Sequence, residues 1–180
     1  MTFEEYNLDV FEAIKGRRSI REFTKQDVSK DSVEKIIDAA RMAPSAGNIQ
    51  PWEFVVIRDA QTKRKIAEAA LGQMFIATAP VIIVVCAHLR RSAQGYGSRG
   101  EKLYAIQDTA AATENILLSA HALGLGTCWI GAFEEDEVKE VLDLPSEVRP
   151  VAIIPVGYPA EKSSPPHRRH LDEIIHMDKF

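Results

Sequence analysis

Arg17, Arg18 and Arg21 fall within five positions of the stretch GRRSIREF, in a chain whose formal net charge is −4. Guanidinium groups gathered against the overall charge either solvate a helix end or wait for an anion. Ile20 and Phe23 are apolar and should anchor the segment to a core, so alternation sends Ser19 and Arg21 to the opposite side together. A hydroxyl beside a fixed guanidinium fork suits a phosphate monoester, which carries about −1.5 to −2 at neutral pH. Arg17 and Arg18, taken alone, are also what a helix C-terminus attracts, and both readings stay open.

Residues 43–52 read APSAGNIQPW. Pro44, Gly47 and Pro51 make an ordinary helix stop and loop, but they do not account for Asn48 and Gln50. Two amides one residue apart offer donor and acceptor edges. They suit a flat heterocycle presenting both kinds of group, such as a flavin ring. In CWIGAF, at 128–133, a strand runs into small residues. There Gly131 and Ala132 would let the backbone approach a planar ligand, with an N–H reaching a ring nitrogen; a tight turn without a ligand explains them equally. A second basic cluster, HRRH at 167–170, reads by itself as a solvated patch, and its histidines lack the partners of a zinc site. The absence of P-loop, GxSxG and HExxH patterns leaves the usual nucleotide-hydrolysing and hydrolase sites without support.

These pieces need elements to hold them. Asp9 can cap a short helix through Lys15, with Val10 and Ile14 on one face and Gly16 as its stop. Ser29 caps a second helix in which Val33, Ile36, Ile37 and Ala40 follow the helical spacing, ended by Pro44. Residues 53–58 read as a strand, 60–71 as a helix, and 81–87 as a strand covered on both faces, because VIIVVCA does not alternate. Residues 89–100, with three glycines, read as a mobile surface loop. The longest helix spans about 103–123, with Leu103, Ile106, Ala110, Leu117 and Ala120 in one stripe, closed by Gly124 and Gly126. It is apolar around most of its girth and calls for cover on most sides, part of it from a second subunit. A short strand at 127–130, a helix at 134–142, a core strand at 151–156 and a tail from Ala160 complete the chain. Helices on both sides of buried strands imply three layers.

At 180 residues the chain is long enough for one domain with a substantial core. Its negative charge argues against broad nucleic-acid binding. The longest apolar run, at 79–87, is far short of the roughly 20 residues of a spanning helix, and the N-terminus is acidic where a leader would be basic. Cys86 and Cys128 lie far apart in apolar segments and read as buried thiols of a reducing compartment. The expectation is a cytoplasmic protein without a membrane or nucleic-acid partner.

In this order, RRSIREF (17–23), APSAGNIQPWEFVVI (43–57), APVIIVV (79–85), AIQDTAAATENILLSAHALGLGTCWIGAF (105–133) and VGYP (156–159) resemble the nitroreductase-like family of FMN oxidoreductases. The resemblance covers most of the chain. It implies an α+β fold over residues 1–180, a central mixed sheet flanked by helices, in an intertwined homodimer with FMN at the subunit interface. The tail, about 160–180, would wrap over the partner. Arg17, Ser19 and Arg21 would hold the phosphate and ribityl chain, with Arg18 contributing through backbone or side chain, and Arg168 and Arg169 adding the tail contact. Pro44, Ser45, Ala46 and Asn48 would reach the ring from the other subunit, with Gln50 close by, and Gly131 and Ala132 would meet its reactive N5 edge. NADH or NADPH would be the reductant and a small electron acceptor, such as a nitroaromatic or quinone, the substrate, with no catalytic side chain assigned. A flavin carrier without turnover is the alternative. Larger members carry an Asn-x-x-Lys ring contact, but residues 71–74 here read LGQM and lack the lysine. The chain also lacks their lid insertions, so the resemblance implies no particular acceptor.

Overall fold

The computed structural model of the protein describes residues 8–180; part of the acidic N-terminal stretch lies outside them. Helix α1 (Val10–Gly16) starts where Asp9 accepts the Phe11 N–H at 2.8 Å. Helix α2 (Lys30–Ala40) starts where Ser29 accepts the Ser32 N–H. Then follow β1 (Trp52–Ile57), α3 (Ala60–Ala69), the short α4 (Phe75–Thr78), β2 (Val81–His88) and α5 (Leu89–Arg99). A turn of π-helix (Gly100–Tyr104) leads into α6 (Ala105–Ala122), followed by β3 (Gly126–Thr127), α7 (Glu135–Val141) and β4 (Val148–Gly157).

The strands stand in the order β1-β2-β4-β3, each neighbouring pair antiparallel. The one parallel contact among the described residues is an isolated bridge, from Ser19 outside these strands to Thr127, so the sheet proper is antiparallel within an α+β chain. Strand β2 explains the layering. Val81, Ile83 and Val85 pack with α2 and α6, whereas Ile82, Val84 and Cys86 pack with α3, α4 and α7. Side chains alternate along a strand, so a run apolar at every position has two faces to cover, and three layers result.

Several sequence expectations shift. Residues 89–100 form a helix and not a mobile loop. Their glycines serve close packing: a Cβ at Gly95 would lie 2.5 Å from Ile49, and one at Gly100 would strike the Ser92 carbonyl. Gly97 (φ 53°, ψ −142°) takes the kink before the π-turn, a conformation only glycine adopts readily. Gly16 is the last residue of α1 without a left-handed cap, and its bareness serves packing: a Cβ there would lie 2.6 Å from His121 Nε2. The strand expected at 127–130 shrinks to two residues and an isolated Ile130–Ile153 bridge. Strand β4 is longer than expected and carries two prolines, with Pro150 at a register shift opposite Cys86. On α6 the buried residues are Ala105, Ala112, Ile116, Leu117 and Ala120 together with Asp108, Thr109 and Thr113, while Ile106 and Ala110 of the expected stripe stay half-buried. Both cysteines are free and buried. Among the described residues no helix is long and apolar enough to cross a membrane.

Candidate functional site

The arginine segment is pinned at the C-terminal end of α6. Ile20 is 7% exposed, its N–H donates to the Thr127 carbonyl at 2.8 Å, and a Cβ on Gly126 would lie 2.9 Å from it. Further along, the Thr24 N–H donates to Tyr158 and Phe23 bridges Pro159. With Ile20 and Phe23 turned inward, Ser19 and Arg21 share the other side. The Cys128 thiol registers this: burial pushes it up, while Arg21, a hydrogen bond with Ser19 and then Arg17 pull it down. Ser19 bridges Thr127, the residue before Cys128, so the segment lies against the start of CWIGAF. Arg21 is exposed, and its guanidinium makes no hydrogen bond or ion pair among the described residues.

The other two guanidinium groups differ. Arg17 stands 3.8 Å from Glu114 of α6. Arg18 turns back to donate to the carbonyls of Lys15 (2.6 Å) and Arg17 (2.7 Å), finishing α1, and its buried Nε has no partner. Both bonds run through Nη1. A cavity of about 200 Å³ beneath the segment is lined by Arg17, Arg18, Ile20, His121, Thr127 and Glu161. Burial, and then the charges of Arg17 and Arg18, hold the His121 imidazole below its ordinary value.

The amide loop sits at the opposite end of α6. Asp108, 7% exposed, accepts the Ala46 N–H at 3.1 Å through Oδ1 and leaves Oδ2 buried without a partner. Burial raises its carboxyl above the usual range, partly offset by the Ala46 N–H. Gly47, Asn48 and Gln50 all have positive φ (56°, 54° and 53°). For Asn48 and Gln50 that backbone is costly and needs support. The Ser45 hydroxyl accepts the Gln50 N–H at 3.0 Å, and Arg91 donates to the Gln50 carbonyl at 3.0 Å. The Tyr96 hydroxyl packs on Gly47, where a Cβ would lie 2.6 Å from it. Pro44, Asn48 and Gln50 are exposed, and Ser45 and Ala46 half-buried.

The 13 steps from Asp108 to His121 rise about 20 Å along the helix. One chain thus places its arginine segment and its amide loop at opposite ends of α6. Gly131 and Ala132 form an exposed turn in which a Cβ on Gly131 would meet only Trp129 Nε1, at 3.8 Å, and Gln73 donates to the Ala132 carbonyl at 3.2 Å. The tail arginines stand apart from all of these: Arg169 is engaged with Glu173, and Arg168 has no hydrogen bond or ion pair among the described residues. Among the described residues no group of three or more His, Cys, Asp or Glu side chains could hold a metal.

Sequence reasoning missed Asp108, Tyr96, Arg91 and Glu161. Asp108 alone left a trace, as a carboxylate between Ala105 and Ala112 on the buried face of an apolar helix.

The model of the Nitroreductase family matches residues 14–77 and 73–158. A relative from Methanothermobacter thermautotrophicus, whose name couples NADH dehydrogenase with NAD(P)H nitroreductase, is 39% identical over 180 residues. That match covers 96% of this chain and 88% of the relative. An FMN reductase [NAD(P)H] of Bacillus subtilis is 30% identical, over 96% of this chain and 74% of its own. The crystal structure of nitroreductase A from Vibrio parahaemolyticus superposes with a TM-score of 0.88 at 26% identity, over 95% of this chain and 76% of that one.

Proposed function

The chain belongs to the nitroreductase family, and from that premise we propose that it is an NAD(P)H-dependent FMN oxidoreductase acting as a homodimer. The observation that carries the reading is the Ser19–Arg21 face: a hydroxyl and an unpartnered guanidinium, held by the Ile20 anchor against the start of CWIGAF. The residues fit FMN. Arg21, with Arg17 and Ser19, would take the phosphate end, the open backbone at Gly131 and Ala132 would accept a flat ring, and Arg168 would add its contact once the tail is placed by the dimer. FMN held by these residues would supply the redox chemistry, with NADH or NADPH as reductant and a small acceptor such as a nitroaromatic or quinone.

The protein's part is binding and charge. Arg21 and the nearby backbone donors offset the negative charge that reduction adds to the cofactor. No side chain is needed as a general acid, since solvent reaches the exposed turn. Reductant and acceptor then use one open face in turn, and ping-pong kinetics follow.

Pro44, Ser45, Ala46, Asn48 and Gln50 would join the same site from a second copy, because one chain anchors the amide loop at Asp108 and the Ile20 segment at Thr127, beyond the two ends of α6. Two unpartnered apolar surfaces support that copy. Helix α1 leaves Val10, Phe11 and Ile14 more than half exposed, and the tail does the same with Leu171, Ile175 and Met177. Solubility gains nothing from such surfaces; an intertwined partner covers them. Purified protein mixed with NADH or NADPH without air tests the reading. Bleaching of a yellow colour, restored by an acceptor, is expected; a yellow protein that never bleaches is a carrier, and a colourless one indifferent to FMN refutes the reading altogether.

A further inference from the structure

Glu161 is the last residue by which the tail holds the body of the molecule. Its Oε1 accepts the backbone N–H of Arg21 at 2.6 Å and that of Glu22 at 3.3 Å. Beside it the Ala160 N–H donates to the Glu22 carbonyl at 2.8 Å. A carboxylate oxygen receiving two successive backbone N–H groups forms charge-assisted bonds, stronger than neutral ones. Beyond Glu161, residues 162–180 are exposed, and among the described residues their hydrogen bonds run to one another.

Arg21 is therefore held through its backbone alone: Glu161 fixes its N–H, while its guanidinium has no partner among the described residues. Without Glu161 the segment would keep the Ile20–Thr127 and Thr24–Tyr158 bonds, but the Arg21 N–H between them would lose its acceptor. We propose that Glu161 is a positioning residue for the phosphate end of the cofactor, setting the direction of Ser19 and Arg21 while tethering the tail that carries Arg168. This inference rests on the FMN reading above and adds to it a residue that never touches the flavin.

A carboxylate this near the arginines also opposes a phosphate by charge, and the two effects have opposite signs. Three variants separate them. Glu161→Gln keeps an oxygen that accepts the two N–H groups but drops the charge. Glu161→Asp keeps the charge but shortens the reach by one methylene. Glu161→Ala removes both.

The measurement is the dissociation constant of FMN and of riboflavin, which lacks the phosphate, for each protein, read by flavin fluorescence quenching. We expect the Asp and Ala variants to lose FMN affinity about tenfold, the scale of one charge-assisted hydrogen bond, with riboflavin unchanged and the Gln variant within about threefold of wild type. Tighter FMN binding in the Gln and Ala variants would show that charge dominates and overturn the proposal. Equal losses for both flavins would reduce Glu161 to a general structural part and overturn it too, as would an unchanged ratio. If wild type itself shows no preference for FMN over riboflavin, the FMN reading has failed and the inference falls with it, a result visible before any variant is made.

Discussion

Gly126→Ala presses directly on the contact that aims the arginines. The methyl group would meet Ile20 at Cβ and Cγ1, both at 2.9 Å, and at Cγ2 at 3.0 Å. These are separations that real Cβ atoms almost never show. Ile20 cannot rotate away freely, being 7% exposed and bonded through its N–H to Thr127. The strain therefore moves the backbone that carries Ser19 and Arg21. Overpacking of this kind costs about 1–3 kcal/mol, which in a domain of this size lowers Tm by about 2–4 °C per kcal/mol.

The functional loss is the sharper part of the expectation: FMN affinity should fall about tenfold if the face shifts enough to lose one charge-assisted bond. Gly124→Ala is the control. Gly124 has φ +74° and nothing within 4 Å of a built Cβ, so alanine there suffers backbone strain alone, about 1–2 kcal/mol. Calorimetry and flavin titration on the two variants decide the matter. Both should melt earlier, and only Gly126→Ala should bind FMN more weakly. Equal flavin affinity in the two would refute the claim that Ile20 packing orients the phosphate face.

Gly47→Ala should destabilise the amide loop by about 1–3 kcal/mol, since it joins a positive φ to a clash with Tyr96; an unchanged Tm would contradict this. Asp108 has its carboxyl raised by burial, so its contribution to stability is complete below the unfolded value near 4 and is lost as pH rises through the raised folded value. The Tm of Asp108→Asn relative to wild type should thus climb with pH across that window and then level off; a constant difference would mean that the carboxyl is not perturbed. Cys86, wholly buried, has its thiol pushed up to about 12 by burial and the nearby Glu53 carboxylate. At pH 8 it should resist alkylation in the folded protein and react only on unfolding, a difference that mass spectrometry reads.

Much of the architecture was legible because local pattern and tertiary demand agree. VIIVVCA announces burial on two faces, and α2 keeps its helical spacing from its Ser29 cap to Ala40. Residues 89–100 misled for a physical reason: glycine permits flexibility and close approach alike, and sequence does not say which is used. Gly95 and Gly100 are there so that Ile49 and the Ser92 backbone can come near. The GRRSIREF segment was legible through its anchors, Ile20 and Phe23. Arg18 was not, because its return to the carbonyls of α1 depends on how that helix ends. The pairings that set the two halves of the site in place, Asp108 with Ala46 and Glu161 with Arg21, join residues 62 and 140 positions apart. No periodicity or local motif encodes contacts of that range.

Mixed dimers test the shared site most directly. A chain carrying Arg21→Ala and one carrying Asn48→Ala are given different affinity tags, and the dimer holding both tags is isolated. If each site takes its arginines from one protomer and its amides from the other, this dimer regains one intact site and binds one FMN tightly. A dimer of wild type with the double variant then has no intact site and binds none tightly. The reverse, tight binding with both changes on one chain and none when they are divided, would mean that each protomer builds its site alone.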